Sequence, residues 1–263
     1  FWHCWVCGAK GKTLTTLFKK IKAPKNKFDE LNLLIVPAKK EEHIAPEAVA
    51  LPTEFLSLSD ISKLDKLAQI EAKHALKYLK KRGIIQSDIV KYNIGFCKEG
   101  KYEYRVIIPS YDEFGKLNYF IARDYKEPSL QKYKNPPCSS KDIIGWELYI
   151  NWNAPIILVE GIFDALTIKR NVIPLFGKEL HGKLMQKLVR SSVNRIYIAL
   201  DPDAIKNAFK YAEELMAYGK EVYLVELDGK DANEIGFAEF LKTIETTSPL
   251  SFQTLLTKKL QLI

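Results

Sequence analysis

The chain has 263 residues, of which 47% are hydrophobic and 27% are charged, so it has enough apolar material for one large domain or two of ordinary size. No apolar run approaches the roughly 18 residues of a membrane span, and no signal peptide is visible, so no membrane partner is expected. The net charge is +8, and all of the excess lies in residues 1–150, which hold 26 Lys and Arg against 18 Asp and Glu. This asymmetry indicates that the first half binds a polyanion, although a lysine-rich surface that only aids solubility is an equal alternative.

The cysteines predict no disulfide framework, because only Cys4 and Cys7 are closely spaced. A reducing, cytoplasmic location fits this pattern. Cys4 and Cys7 are candidate zinc ligands, since C-x-x-C followed by Gly8 is typical of half a zinc-ribbon knuckle. Structural zinc needs four ligands, and the other half of a ribbon would have to lie upstream of Phe1. The spacing alone leaves a ribbon fragment and a chance match equally open.

The next elements are read in chain order. Residues 21–50 combine proline with Lys and Glu, which predicts a linker with little core. A helix is predicted over 66–81, with Leu67, Ile70, His74 and Leu76 near one stripe and Gly83 as its stop signal. Apolar runs at 104–109 and 117–122, joined by the turn DEFGK, predict an antiparallel hairpin.

From residue 156 onward, short apolar strands alternate with helices. The strands are IILV, VIPLF, RIYIAL and EVYLVEL, and the helices lie near 162–170, 179–190, 204–218 and 232–242. This alternation predicts a parallel sheet with crossover helices. Such sheets bind ligands beyond the carboxyl ends of their strands.

Candidate cation ligands follow three of these four strands. They are Glu160, Asp164, Asp201, Asp203, Asp231 and Asn233. Any one acid can be a helix N-cap, but three acid-bearing strand ends in register favour a shared metal site. Converging carboxylates repel one another, and Mg²⁺ with its oxygen ligands removes that conflict. A metal beside a basic half indicates phosphoryl transfer and leaves polymerase, nuclease and topoisomerase open.

Three segments in this half resemble a known family. VEGIFDAL, ALDPDA and GKDANE, in that order, are similar to the TOPRIM domain of DnaG-type primases, type IA and II topoisomerases and some nucleases. In the first half, RVIIPSYDEFGKLNYFIARDY and QKYKNPP resemble the basic subdomain that precedes TOPRIM in bacterial and phage primases. CWVCG resembles the second half of the primase zinc ribbon.

The resemblance implies an α/β fold in which a TOPRIM parallel-sheet domain (154–242) follows a basic α+β primase subdomain (51–153). A partial N-terminal zinc ribbon (1–20), a linker (21–50) and a C-terminal tail (243–263) complete the chain. The tail is expected to be a terminal helix of this domain, with an amphipathic interaction helix as the alternative.

The resemblance also implies roles for individual residues. Mg²⁺ or Mn²⁺, two ions in all, is expected at the six candidate cation ligands, with Glu160, Asp201 and Asp203 catalytic. Expected contacts to nucleic acid or nucleotide are Arg105, Arg123, Lys132, Tyr133 and Asn135. Two features depart from the family. Asn233 stands where many relatives carry an aspartate, which predicts a weaker second ion, and zinc requires the absent first half of the ribbon.

The implied function is a DNA primase that makes short RNA primers during DNA replication. Its partners are a single-stranded DNA template, ribonucleoside triphosphates and a replicative helicase, in the cytoplasm of a bacterium or a phage-infected cell. The alternatives are a TOPRIM nuclease that uses the same acids and a non-catalytic replisome scaffold. A topoisomerase is disfavoured, because 263 residues leave little room for its strand-passage scaffold.

Overall fold

The computed structural model describes residues 2–3, 9–11, 13–34, 49–126, 128–227 and 231–261, and the chain divides into two units, Phe1–Glu47 and Ala48–Ile263. The first unit contains the antiparallel strands β1 (Trp2–His3) and β2 (Lys10–Gly11) and the helices α1 (Leu14–Lys20) and α2 (Lys25–Leu34). Cys4 and Cys7 lie outside the described residues, so their role as zinc ligands stays a prediction.

Helix α2 lies inside the segment predicted to be a linker. Phe28 of α2 packs edge to face on Phe18 of α1, with ring centroids 5.7 Å apart. Pro24 directly precedes the helix, where a missing N–H costs nothing because the first N–H groups of a helix have no partner within it. The linker prediction is therefore wrong for residues 25–34, since it gave proline too much weight as a helix breaker.

The second unit opens with an antiparallel sheet in the order β3-β4-β5-β6. Its strands are β3 (Phe55–Ser57), β4 (Gly95–Cys97), β5 (Arg105–Tyr111) and β6 (Leu117–Asp124), and two helices, α3 (Lys66–Lys81) and α4 (Gln86–Lys91), lie between β3 and β4 in the chain. β5 and β6 form the predicted hairpin, with Ile108 opposite Ile121. β3 and β4 were not predicted, because three residues are too few to show a period.

Helix α3 has the predicted bounds but a different buried face. Asp65 caps it by accepting a hydrogen bond from the amide of Ala68 (2.8 Å). The helix buries Ala68, Ala72 and Leu79, whereas Leu67 and Ile70 are exposed. The predicted stripe is therefore wrong for Leu67 and Ile70, whereas Leu76 does pack against the core. Small alanines allow closer packing of the helix than larger aliphatic residues would.

The second half of this unit has the predicted parallel sheet. Its strands are β7 (Ile156–Val159), β8 (Val172–Pro174), β9 (Arg195–Ala199) and β10 (Glu221–Leu224), in the order β10-β9-β7-β8. The helices that follow them are α5 (Ile162–Ile168), α6 (Gly182–Arg190), α7 (Ile205–Ala217) and α8 (Ala232–Thr246). Because β7, β9 and β10 are neighbours, the chain leaves their carboxyl ends at one edge.

The two sheets of the second unit share one hydrophobic core. Tyr78 of α3 contacts Phe163 of α5, with ring centroids 6.2 Å apart. The buried carboxylate of Asp88 in α4 forms a 2.7 Å ion pair with Lys169, which follows α5. The segments 51–153 and 154–242 therefore pack against each other through both apolar and charged contacts, and their separation into domains stays a prediction.

The C-terminal tail contains helix α9 (Phe252–Leu260). Its Leu255 is buried in the core beside α7, and Lys258 forms a 2.7 Å ion pair with Glu226. Phe252 and Leu256 remain exposed. The tail thus folds back on the parallel-sheet half. Among the described residues, no helix has the length and apolar character needed to cross a membrane.

Candidate active site

A cavity of about 470 Å³ opens where β7 and β9 end, and it faces the hairpin strand β6. Acidic residues of the parallel-sheet half form one wall, and basic residues of the antiparallel-sheet half form the other. Its polar lining residues are Arg82, Arg123, Lys132, Tyr133, Asn135, Glu160, Asp164, Asp201, Asp231 and Asn233. Chain topology therefore brings together two sets of residues that the sequence analysis singled out separately.

Glu160 and Asp201 of the acidic wall converge with a third carboxylate, Asp203, which does not line the cavity, and we call these three residues the acid trio. Each offers an oxygen, and these oxygens lie within 4.8 Å of one another. Glu160 directly follows β7, and Asp201 follows β9 in an extended conformation before a short turn that begins at Pro202. The amide of Asp201 donates a hydrogen bond to Glu160 Oε1 (3.1 Å), which ties the two strand ends together.

The pKa values of these acids are raised, because burial and repulsion between the carboxylates disfavour their charged forms. Burial and the charge of Asp201 raise the pKa of Glu160 to about 7. Burial and the charge of Asp231 likewise raise the pKa of Asp164 to about 7, and burial raises the pKa of Asp201. Oxygen donors that repel one another are suited to a hard divalent cation, so the residues present fit Mg²⁺ or Mn²⁺.

Asp164 and Asp231 line the same cavity but are already bonded to the backbone. Asp164 accepts hydrogen bonds from the amides of Gly161 and Asn233, both at 3.2 Å. Asp231 is the N-cap of α8 and accepts from the amide of Glu234 (2.7 Å). The helix-cap alternative therefore describes Asp231 correctly, and this cap lies on the acidic wall of the cavity.

The Asn233 side chain is a link between elements. Its Oδ1 accepts a hydrogen bond from Arg82 Nη1 (3.1 Å), and its Nδ2 donates to Thr167 Oγ1 (2.7 Å). The amide oxygen is thus engaged with an arginine. Its predicted role as a metal ligand stays a prediction.

The basic wall is centred on Arg123 of β6. Its Nε donates to the hydroxyl of Tyr78 (3.0 Å), and its guanidinium lies 4.7 Å from the ring centre of Tyr133. Lys132 and Asn135 lie beside them in the cavity. The arrangement presents fixed positive charge and an aromatic ring to the same space as the acids.

Arg105, in contrast, does not line the cavity. It is buried, and its guanidinium donates to the carbonyls of Gln131 (2.9 Å) and Lys132 (3.3 Å). It therefore holds in place the segment that carries Lys132 and Tyr133. Its predicted contact with nucleic acid stays a prediction.

The sequence analysis missed Arg82, which lies in the cavity. It is the C-cap of α3, and its guanidinium stacks over Phe163 (4.5 Å) and Tyr78 (5.1 Å). The available signal is the basic run Lys80-Lys81-Arg82 at the end of α3, but basic residues are typical of any helix C-terminus and do not by themselves indicate a site.

Several known proteins have sequences related to this chain, although no protein-family model matches it. The protein MG010 of Mycoplasma genitalium is 30% identical over 175 residues, which cover 61% of this chain and 78% of that protein. The DNA primase of Aquifex aeolicus is 31% identical over 204 residues, which cover 69% of this chain and 41% of that protein. This chain therefore matches less than half the length of that primase.

Solved structures with the same fold are primase cores. The catalytic domain of DnaG primase bound to single-stranded DNA superposes with a TM-score of 0.62 at 20% identity, covering 78% of this chain and 82% of that one. The zinc-binding and RNA polymerase domains of the Aquifex aeolicus primase superpose with a TM-score of 0.59 at 21% identity, covering 94% and 73%. The fold is that of a primase catalytic core. The chain belongs to the same sequence family as MG010, and the similarity to DnaG-type primases that the sequence predicts is confirmed.

Proposed function

We propose that this chain carries the catalytic core of a DNA primase, a nucleotidyltransferase that makes short RNA primers on single-stranded DNA during replication. One observation carries the proposal: two members of the acid trio, Glu160 and Asp201, face a basic, aromatic wall across one cavity. Phosphoryl transfer requires a cation at the reacting phosphate and positive charge along the nucleic acid. The likeness to primase cores supports the same reaction class.

The acid trio is proposed to hold Mg²⁺ or Mn²⁺, with a second ion toward Asp164 and Asp231. A bound ion would neutralise charge on the phosphate and lower the pKa of the attacking hydroxyl. The three carboxylates of the trio lie close enough to share one ion, and the Asp201 amide fixes the orientation of Glu160. Glu160 is in addition proposed to assist the transfer of the hydroxyl proton.

The basic wall is proposed to bind template, nascent strand or nucleotide phosphates. Arg123 is held in place by its bond to Tyr78, so little side-chain entropy remains to be lost on binding. Tyr133 is 45% exposed and offers a ring face for base stacking. Lys132 and Arg82 add charge on either side.

The proposed reaction joins the 3′-hydroxyl of the growing primer to the α-phosphate of an incoming ribonucleoside triphosphate. A P–O bond forms to the 3′-oxygen, the bond between the α- and β-phosphates breaks, and pyrophosphate leaves. The same proposal includes pairing of the nucleotide with the template and the assignment of residues 154–242 to the TOPRIM domain. It also includes zinc at Cys4 and Cys7 and a helicase partner. A bacterial or phage cytoplasmic setting belongs with them.

A primer-synthesis assay tests this function. Mixed single-stranded DNA templates, labelled ribonucleotides and Mg²⁺ or Mn²⁺ are expected to give short RNA products, which disappear in the double variant Asp201→Ala/Asp203→Ala. Asp142→Ala/Glu245→Ala is the matched control, because it removes the same charge from two exposed positions outside the cavity. If the wild type instead degrades the template and the Asp201→Ala/Asp203→Ala variant does not, the protein is a nuclease and not a primase. If neither RNA products nor template degradation is seen, even after the upstream half of the ribbon is added, the remaining interpretation is a non-catalytic replisome scaffold.

A further inference from the structure

Lys178, in the loop after β8, places a permanent positive charge on the acid trio. Its ammonium group forms an ion pair with Asp203 Oδ2. Within the described residues, this is the single ion pair that involves the trio. The sequence analysis gave this lysine no role.

The loop holds the lysine in this position by its backbone. The Lys178 carbonyl accepts hydrogen bonds from Asn207 Nδ2 (3.1 Å) and from the hydroxyl of Tyr211 (3.3 Å), both on α7. The amide of the preceding residue, Gly177, donates to the Glu160 carbonyl (3.3 Å). Since the loop is fixed both to the end of β7 and to α7, the backbone of Lys178 is held close to the trio.

The charges make the contact specific to the trio. The Lys178 ammonium group pairs with Asp203, and the carboxylates of Glu160 and Asp201 also lie close enough to attract it. Its side chain is 47% exposed and that of Asp203 is 69% exposed. The pair is therefore open to solvent and can separate at low cost.

We propose that Lys178 is a built-in counter-cation of the metal centre, which competes with the divalent ion for Asp203 and thereby lowers the metal affinity. The inference rests on the proposed metal centre and assigns to it a residue that regulates its loading. An ammonium group and a divalent ion cannot both occupy the same carboxylate oxygen without strong repulsion, so metal binding displaces the lysine from Asp203.

Mn²⁺ titration followed by electron paramagnetic resonance tests the inference without any catalytic readout. Lys178→Met is expected to bind Mn²⁺ about fivefold more tightly than the wild type at low ionic strength, which is the upper range for an exposed ion pair. The difference should shrink as salt is added, because salt screens exposed charges. Lys178→Arg, which keeps the charge, should bind like the wild type.

Two further variants guard the interpretation. Lys178→Gln removes the charge with a polar side chain and should reproduce the tightening, which makes the result independent of how the Met variant folds. Lys183→Met removes a lysine from an exposed position of α6 outside the cavity and should leave Mn²⁺ affinity unchanged. Equal or weaker binding in both neutral Lys178 variants would overturn the inference alone. Absence of Mn²⁺ binding in the wild type would overturn the metal centre and the inference together.

Discussion

The main-chain amide of Asp201 donates a 3.1 Å hydrogen bond to the carboxylate of Glu160, so the ends of β9 and β7 are joined through an acid that is itself buried. The bond fixes the orientation of Glu160, while burial and the charge of Asp201 raise its pKa. One carboxylate thus serves as a structural acceptor and as a candidate metal ligand. Substitutions can separate these two roles.

Glu160→Gln and Glu160→Ala are expected to differ in stability but not in metal binding. Glutamine keeps an oxygen that can accept from the Asp201 amide and removes a buried charge, so the metal-free protein should be at least as stable as the wild type. Alanine loses the acceptor, and we expect about 1–2 kcal/mol of destabilisation. Both should lose Mn²⁺ binding and primer synthesis. Denaturant titrations in EDTA and Mn²⁺ titrations measure the two effects, and full Mn²⁺ affinity in the Gln variant would contradict the ligand assignment.

The metal-free protein is expected to lose stability as the pH rises toward neutrality. The pKa values of Glu160 and Asp164 are about 7 in the folded chain, above the ordinary values of 4.5 and 3.8 for these side chains. Between those limits the folded state binds more protons than the unfolded state, so the free energy of unfolding falls with pH and levels off above about pH 7.

The Glu160→Gln variant isolates this contribution. The free energy of unfolding of the variant relative to the wild type, measured by denaturant titration in EDTA, should rise between pH 5 and pH 8. Only the wild type loses stability over this range as Glu160 ionises. A constant difference over that range would mean that the folded-state pKa of Glu160 is close to its ordinary value.

Asp201→Ala should abolish primer synthesis while leaving template binding nearly intact. The residue lies on the acidic wall, whereas the proposed nucleic-acid contacts lie on the basic wall. Fluorescence anisotropy with single-stranded DNA measures binding, and the primer assay measures synthesis. Equal loss of both would contradict the assignment of Asp201 to the metal centre.

Arg123→Ala should weaken template binding about tenfold at low salt and reduce its salt dependence by about one phosphate contact. The side chain is fixed by Tyr78 and lies over Tyr133 in the cavity. Arg195→Ala is the matched control, because Arg195 is paired with Glu221 at the opposite, amino-terminal end of β9. An unchanged salt slope together with unchanged nucleotide affinity would remove Arg123 from the contact surface.

Asn233→Ala should destabilise the metal-free protein by about 2 kcal/mol. The change removes the hydrogen bonds to Arg82 and Thr167 and leaves a buried threonine hydroxyl with one partner fewer. Asn233→Asp keeps an acceptor for Arg82 and adds charge beside Asp164, so it should tighten Mn²⁺ binding. Thermal and denaturant unfolding test the first effect and Mn²⁺ titration the second. An alanine variant as stable as the wild type would show that the link carries no energy.

Local sequence patterns predicted much of the fold. The bounds of α3 and β7, the β5–β6 hairpin and the parallel sheet agree with the structure. Periodicity and helix caps arise from residues within a few positions of each other, so they are visible in the sequence itself. The same reasoning failed for the buried face of α3, because alanines and larger residues compete for the interior and only the neighbouring elements decide which is enclosed.

The sequence by itself also determined that acids follow three of the four strands of the parallel sheet, and it identified most of the residues on both walls of the cavity. Only the tertiary structure decided their arrangement. It grouped Asp203 with Glu160 and Asp201, turned Arg105 inward onto the backbone, and brought Arg82 into the cavity. These outcomes depend on strand order and on contacts between residues far apart in the chain. No local period records them, because such contacts are selected by packing and charge only after the elements have assembled.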